Sequence, residues 1–208
     1  MLTALKYVFV FIVAYFVGTS NMTYFISRFK NIEVRDKGSK NLGASNAVII
    51  LGWRAGIAAG LHDIGKSAIC VILASLIFTN LQYIGAVAGV ASVLGHIFPF
   101  YLKFRGGKGF ASYIGMTLAL NWKFALFVLV IIVLVTLLTD YLFAGTLTTV
   151  LSVPIALGFI TNSLILTLIL LIASGIIIYK HRENFVRIHK GTEIGLMSAL
   201  KGENKHKR

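Results

Sequence analysis

The chain has 208 residues, 57% of them hydrophobic, and twenty Lys and Arg against seven Asp and Glu give it a formal charge of +13. A mean hydropathy of +0.85 and apolar runs longer than a soluble helix requires exclude a soluble globular domain and indicate an integral membrane protein. The single cysteine, Cys70, excludes an intramolecular disulfide and reads as a small packing residue.

The apolar runs predict spans near residues 4–26, 57–79, 81–101, 110–121, 124–139, 142–161 and 163–179. They lack the ten-residue alternation of barrel strands, so an all-α membrane fold is expected. The first run continues through Tyr24 and Phe25 with no Ala-x-Ala-like cleavage site, so it is read as a retained span. The fourth, 110–121, is the shortest of the seven. With the N-terminus outside, segments 27–56, 102–109 and 180–208 share one side and hold six, three and eight basic residues, while Lys6 and Lys123 lie opposite. This asymmetry predicts seven transmembrane helices with the N-terminus outside and the C-terminus cytoplasmic. Residues 1–200 are expected to form one domain, followed by a solvated basic tail, KGENKHKR, at 201–208. The positive charge then belongs to topology and to membrane lipids with anionic headgroups, and nucleic acid is not expected as a partner.

Three polar segments border the spans on the expected cytoplasmic side. In KGSKNLGASN (37–46), Ser39, Asn41, Ser45 and Asn46 supply neutral hydrogen bonds among small residues that let a ligand approach, or cap a helix. In KFRGGKG (103–109), glycine backbone at Gly106, Gly107 and Gly109 can curl its N–H groups around a phosphate while Lys108 adds charge, or can simply turn the chain. This is not a nucleotide-binding P-loop, which needs Gly-Lys-Ser/Thr between a strand and a helix. In HRENFVRIHKGTE (181–193), His181, Arg182, Asn184, Arg187 and Glu193 follow directly on the last span. His181 has no partner at metal-ligand spacing, and His62, His96, His189 and His206 do not complete one, so no metal or other cofactor is expected. Asp63 and Lys66 stand three apart on one helical face, as an ion pair that supports the structure or as the wall of a polar pocket.

Taken together, these segments resemble the bacterial acyl-phosphate:glycerol-3-phosphate acyltransferases, the PlsY family. The family's Gly-Ser-x-Asn-x-Gly-Ala-Thr-Asn is matched by GSKNLGASN (38–46), with Ser45 in place of Thr. Its Gly-His-x-x-Pro and Phe-x-Gly-Gly-Lys-Gly are matched by GHIFP (95–99) and FRGGKG (104–109), and its closing motifs by HRENFVR (181–187) and GTE (191–193). The resemblance implies a multi-pass enzyme of the bacterial inner membrane, its site facing the cytoplasm. Its substrates would be acyl phosphate and glycerol 3-phosphate, and its products lysophosphatidic acid and phosphate. It also implies that Ser39 hydrogen-bonds substrate, that Gly106-Gly107-Lys108-Gly109 cradles phosphate, that His181 and Asn184 belong to the reaction centre, and that Glu193 mainly supports structure.

That chemistry suits the residues, because an acyl phosphate carries its own leaving group and needs no protein nucleophile. Orientation by Ser39 and Asn184, substrate binding by Asn41 and a positive field from Lys108, the loop N–H groups, Arg182 and Arg187 would suffice. The general base is His181 or the substrate's own phosphate. The sequence departs from the family pattern at Ile49, where the family carries an Arg that resembles a phosphate anchor. On a continued helix, Arg54 would lie about 140° away from Ile49 and could not replace it. Ser67 also follows Lys66 where the family tends to carry Gly. A transporter of a phosphorylated metabolite or lipid is an alternative, as is a weakened paralogue with a different acceptor.

Overall fold

The computed structural model describes residues 1–193 and residue 195. Among these residues all regular structure is helical: α1 (Leu2–Thr19), α2 (Met22–Phe29), α3 (Ala44–Leu51), α4 (Trp53–Ile77), α5 (Ile84–Ile97), α6 (Phe110–Leu120), α7 (Trp122–Thr139), α8 (Leu142–Ile160), α9 (Leu164–Lys180) and α10 (Arg182–His189). Short 3-10 turns form at Val34–Asp36 and Phe100–Leu102. The expected tail at 201–208 lies outside the described residues.

Five stretches are long and apolar enough to cross a bilayer: Leu2–Phe29, Trp53–Ile77, Ile84–Leu102, Trp122–Thr139 and Leu142–Ile160. The pair α9 and α10, bent by 43°, makes a sixth if taken as one span. Helix α6 has only 11 residues, a rise of about 16 Å against a hydrocarbon thickness of about 30 Å.

The first expected span is interrupted. Asn21 leaves the helix, and its side chain accepts the Tyr24 N–H at 2.9 Å, capping α2. Likewise the 27–56 segment is not simply a loop. Gly52, at φ 92°, ends α3 and starts α4 with a kink that a side chain would strain.

The chain divides into two compact units, Met1–Trp122 and Lys123 onward. In the first, a Cβ at Gly18 would meet the Ser92 backbone and one at Gly95 would meet the Tyr15 carbonyl, so α1 and α5 touch backbone to backbone. Gly115 of α6 meets Ile64 of α4 in the same way. Small residues permit such contact where lipid supplies no hydrophobic drive between helices. Cys70 packs with Val10, Ala14, Ala74 and Ala88 in the apolar core between α1, α4 and α5. A second cluster, including Val34, Leu42, Ala47, Leu51 and Leu102, lies beneath the first polar segment. In the second unit α8 packs along α9, and α10 turns off its end. Large apolar side chains such as Phe9, Leu61, Leu76, Leu138 and Phe159 point outward, as a lipid-facing surface requires.

Candidate active site

In the first unit, the 37–43 loop is organised from within by Asn46, which is fully buried. Its Nδ2 donates to the carbonyls of Val34 and Lys37 at 3.2 Å and of Asn41 at 2.9 Å. Its Oδ1 accepts the Ser39 N–H at 2.9 Å. Asn41 Nδ2 donates to Ser39 Oγ at 2.9 Å, so the Ser39 hydroxyl accepts there and keeps its proton to donate elsewhere. The cap position of α3 falls to Gly43, with no side-chain cap, so neither Ser45 nor Asn46 fills it.

This loop meets the glycine loop where the Leu42 N–H approaches the Gly106 carbonyl at 3.5 Å. The Gly106 N–H donates to Ile97 at 3.1 Å and the Gly107 N–H to His96 at 3.2 Å, so both amides are engaged inside the fold. Gly109, at φ 93°, begins α6 with no side-chain cap. The first turn of α6 thus follows directly on Lys108 and Gly109. Beneath the loop Asp63 and Lys66 pair at 2.8 Å, and His96 joins them. His96 and Asn46 are the residues whose place the sequence left unread. The signal for His96 was GHIFP itself, and Asn46 was hidden behind its ordinary use as a helix cap.

In the second unit, His181 is buried. Its Nδ1 lies 2.8 Å from the Ile177 carbonyl. A carbonyl only accepts, so Nδ1 carries a proton there and the ring is fixed in orientation on the end of α9. The ring stacks on Phe143 at 5.5 Å, and Phe185 meets Phe143 edge-on at 4.6 Å. Glu193 binds Asn184 Nδ2 through one oxygen and Arg187 Nε through the other, both at 2.6 Å. Arg182 stands apart from this cluster, its guanidinium 4.4 Å over the Tyr179 ring and donating to the Tyr179 carbonyl at 3.3 Å.

The three motifs thus keep defined, internally bonded shapes, and comparison with known proteins shows the family of the chain. The family profile described as glycerol-3-phosphate acyltransferase matches residues 8–191. The chain belongs to the glycerol-3-phosphate acyltransferase family. A family member from Thermoanaerobacter sp. is 34% identical over 183 residues, 88% of this chain and 91% of its own. One from Oceanobacillus iheyensis is 34% identical over 199 residues, 92% and 96% of the two chains, and one from Coxiella burnetii is 36% identical over 184 residues, 88% and 94%. Among solved structures, PlsY, an integral membrane glycerol 3-phosphate acyltransferase, in its glycerol 3-phosphate form is 30% identical with a TM-score of 0.86, covering 93% of this chain and 98% of that one. The lysophosphatidic acid form is 29% identical with a TM-score of 0.83, covering 94% and 98%.

Against the family pattern, Ile49 is about half exposed on α3. The expectation that Arg54 sits 140° around a continued helix does not apply, because the helix breaks at Gly52. Arg54 instead lies 5.4 Å over the Trp53 ring. Arg35 is forked onto Glu33 at 2.9 and 3.2 Å. That hydrogen-bonded guanidinium holds the Glu33 carboxyl below its ordinary range. Lys30 donates to the Leu51 carbonyl at the end of α3, at 3.3 Å.

Proposed function

We propose that this chain transfers a fatty acyl group from acyl phosphate to the 1-hydroxyl of glycerol 3-phosphate, at the cytoplasmic face of a bacterial inner membrane. The observation that carries the reading is the family match over residues 8–191. The hydroxyl oxygen attacks the acyl carbonyl, the carbonyl carbon's bond to the phosphate oxygen breaks, and an ester bond replaces it. The hydroxyl proton leaves with the phosphate, either directly or by way of His181 Nε2. Lys108, Gly109 and the first turn of α6 receive a phosphate, while Gly106 and Gly107 hold the loop in shape. Ser39, oriented by Asn41, donates to substrate. Asn184, held by Glu193, orients the reacting groups, and Arg182 and Arg187 contribute positive field. Asp63 and Lys66 support the glycine loop. At Ile49 an anion contact is absent, which raises the KM for glycerol 3-phosphate without removing the reaction.

The topology proposed with this reading is seven spans, N-terminus outside and C-terminus cytoplasmic, with α6 as a short span. Basic-residue asymmetry supports it. Reporters fused after Arg208 should read cytoplasmic and reporters near Asn80 or Asn162 external, and a cytoplasmic signal at Asn80 would overturn the order of spans. For the activity, purified protein supplied with acyl phosphate and glycerol 3-phosphate should form lysophosphatidic acid and phosphate in equal amounts. No product under these conditions would overturn the reading.

A further inference from the structure

The side chain beneath the glycine loop is His96, buried among α4, α5 and the loop. One edge of its ring is gripped: Lys66 Nζ approaches Nδ1 at 3.0 Å and Asp63 Oδ1 approaches it at 3.2 Å. The Lys66 ammonium faces three polar atoms, the Ser20 carbonyl at 2.6 Å, Asp63 Oδ1 at 2.8 Å and His96 Nδ1. Nδ1 therefore lies between a donor and an acceptor, and in either tautomer it is held: it accepts from Lys66 or donates to Asp63. His62 completes the surroundings, 3.5 Å from Asp63 and 3.2 Å from Ser20 Oγ.

The other edge of the ring faces the loop. A Cβ at Gly107 would collide first with His96 Nε2, and one at Gly106 with the His96 carbonyl and then the Pro99 ring. That carbonyl also accepts the Gly107 N–H. No ligand is needed to account for either glycine.

We propose that His96 is a positioning residue for the phosphate loop. Lys66, neutralised by Asp63, locks the imidazole, and the locked ring and carbonyl set the path of Gly106 and Gly107 and hence where Lys108 meets a phosphate. This rests on the reading that the loop binds a substrate phosphate. The two glycines are required by the histidine below them, and they serve the ligand only through the loop shape that results.

A double-mutant cycle tests this, with glycerol 3-phosphate kinetics on the wild type, Gly107→Ala, His96→Ala and the pair. Each single change should raise KM by about 10- to 100-fold with kcat nearly unchanged, since a misplaced loop weakens binding. The pair should be no worse than His96→Ala alone, because the new methyl enters the space the ring has left. His96→Asn, which keeps an acceptor for Lys66, should recover part of the KM. Multiplying KM penalties in the pair, or a kcat loss equal to the KM loss, would overturn the proposal. If His96→Ala does not fold, as judged by thermal unfolding in detergent, His96→Asn takes its place in the cycle under the same criterion. A wild type that makes no lysophosphatidic acid would overturn the acyltransferase reading instead. Calorimetric binding of inorganic phosphate to the same proteins should then show the same non-additivity, and additive losses there would overturn the positioning role independently.

Discussion

The glycine loop and the HRENFVR helix are both polar segments at helix ends, but contacts of different range shape them. His96 lies 30 residues from the Lys66 that grips it, and Lys66 lies 46 from the Ser20 carbonyl it binds. In the second unit, His181 is held by Ile177 four residues back, and Asn184 and Arg187 by Glu193 nine and six residues on. A loop shaped by several helices transmits a distant change into binding geometry. A helix shaped by its neighbours keeps its backbone when one side chain is removed, so the loss falls on chemistry.

The largest expected effect tests that contrast. His181→Ala should lower kcat by about 10²- to 10⁴-fold, the range of a lost proton-transfer group, with KM for glycerol 3-phosphate changing far less at saturating acyl phosphate. A rise in KM alone would place His181 with the binding residues and break the contrast. Lys108→Ala should act the other way, raising KM by about 30- to 150-fold for a charge-assisted phosphate contact of about 2–3 kcal/mol. Steady-state kinetics of lysophosphatidic acid formation decide both.

Glu193→Gln sharpens the comparison inside the second unit. Its carboxylate is largely sequestered, with side-chain exposure of 13%, and neutralising it weakens two charge-assisted bonds by about 1–3 kcal/mol in total. The unfolding midpoint in detergent should fall, and kcat should fall more than KM rises, because the anchor of Asn184 is weakened. An unchanged midpoint would remove Glu193 from the support of this helix.

The smallest effect concerns the departure from the family pattern. Ile49→Arg should lower the KM for glycerol 3-phosphate about tenfold for each 1.4 kcal/mol regained. Arg54→Ala should leave KM unchanged, since that guanidinium stacks on the exposed Trp53 ring. A tenfold loss on Arg54→Ala would show that the kink at Gly52 had brought Arg54 into the role of the missing Arg.

Legibility followed the range of the contacts. The helices α4, α7, α8 and α9 fall within a few residues of their expected spans, because long, mainly apolar runs report their own environment. The break at Ser20 and Asn21 was not legible. It is held by Lys66 and by Asn21 donating to the Leu42 carbonyl at 3.3 Å, partners remote in the chain. Asn46 escaped for a related reason. One amide binding three carbonyls and an N–H depends on a loop conformation that no spacing encodes.

By itself the sequence determined the membrane class, the order of the apolar helices, the acyltransferase family and the three polar segments, since hydropathy and short motifs are carried by residues close together in the chain. The tertiary structure alone decided that the Gly106 and Gly107 amides turn inward and that His96 lies under the loop. It also decided that α3 and α4 part at Gly52. Each of those depends on helices distant in the chain approaching within hydrogen-bond distance, or on a backbone angle that only the packed chain selects.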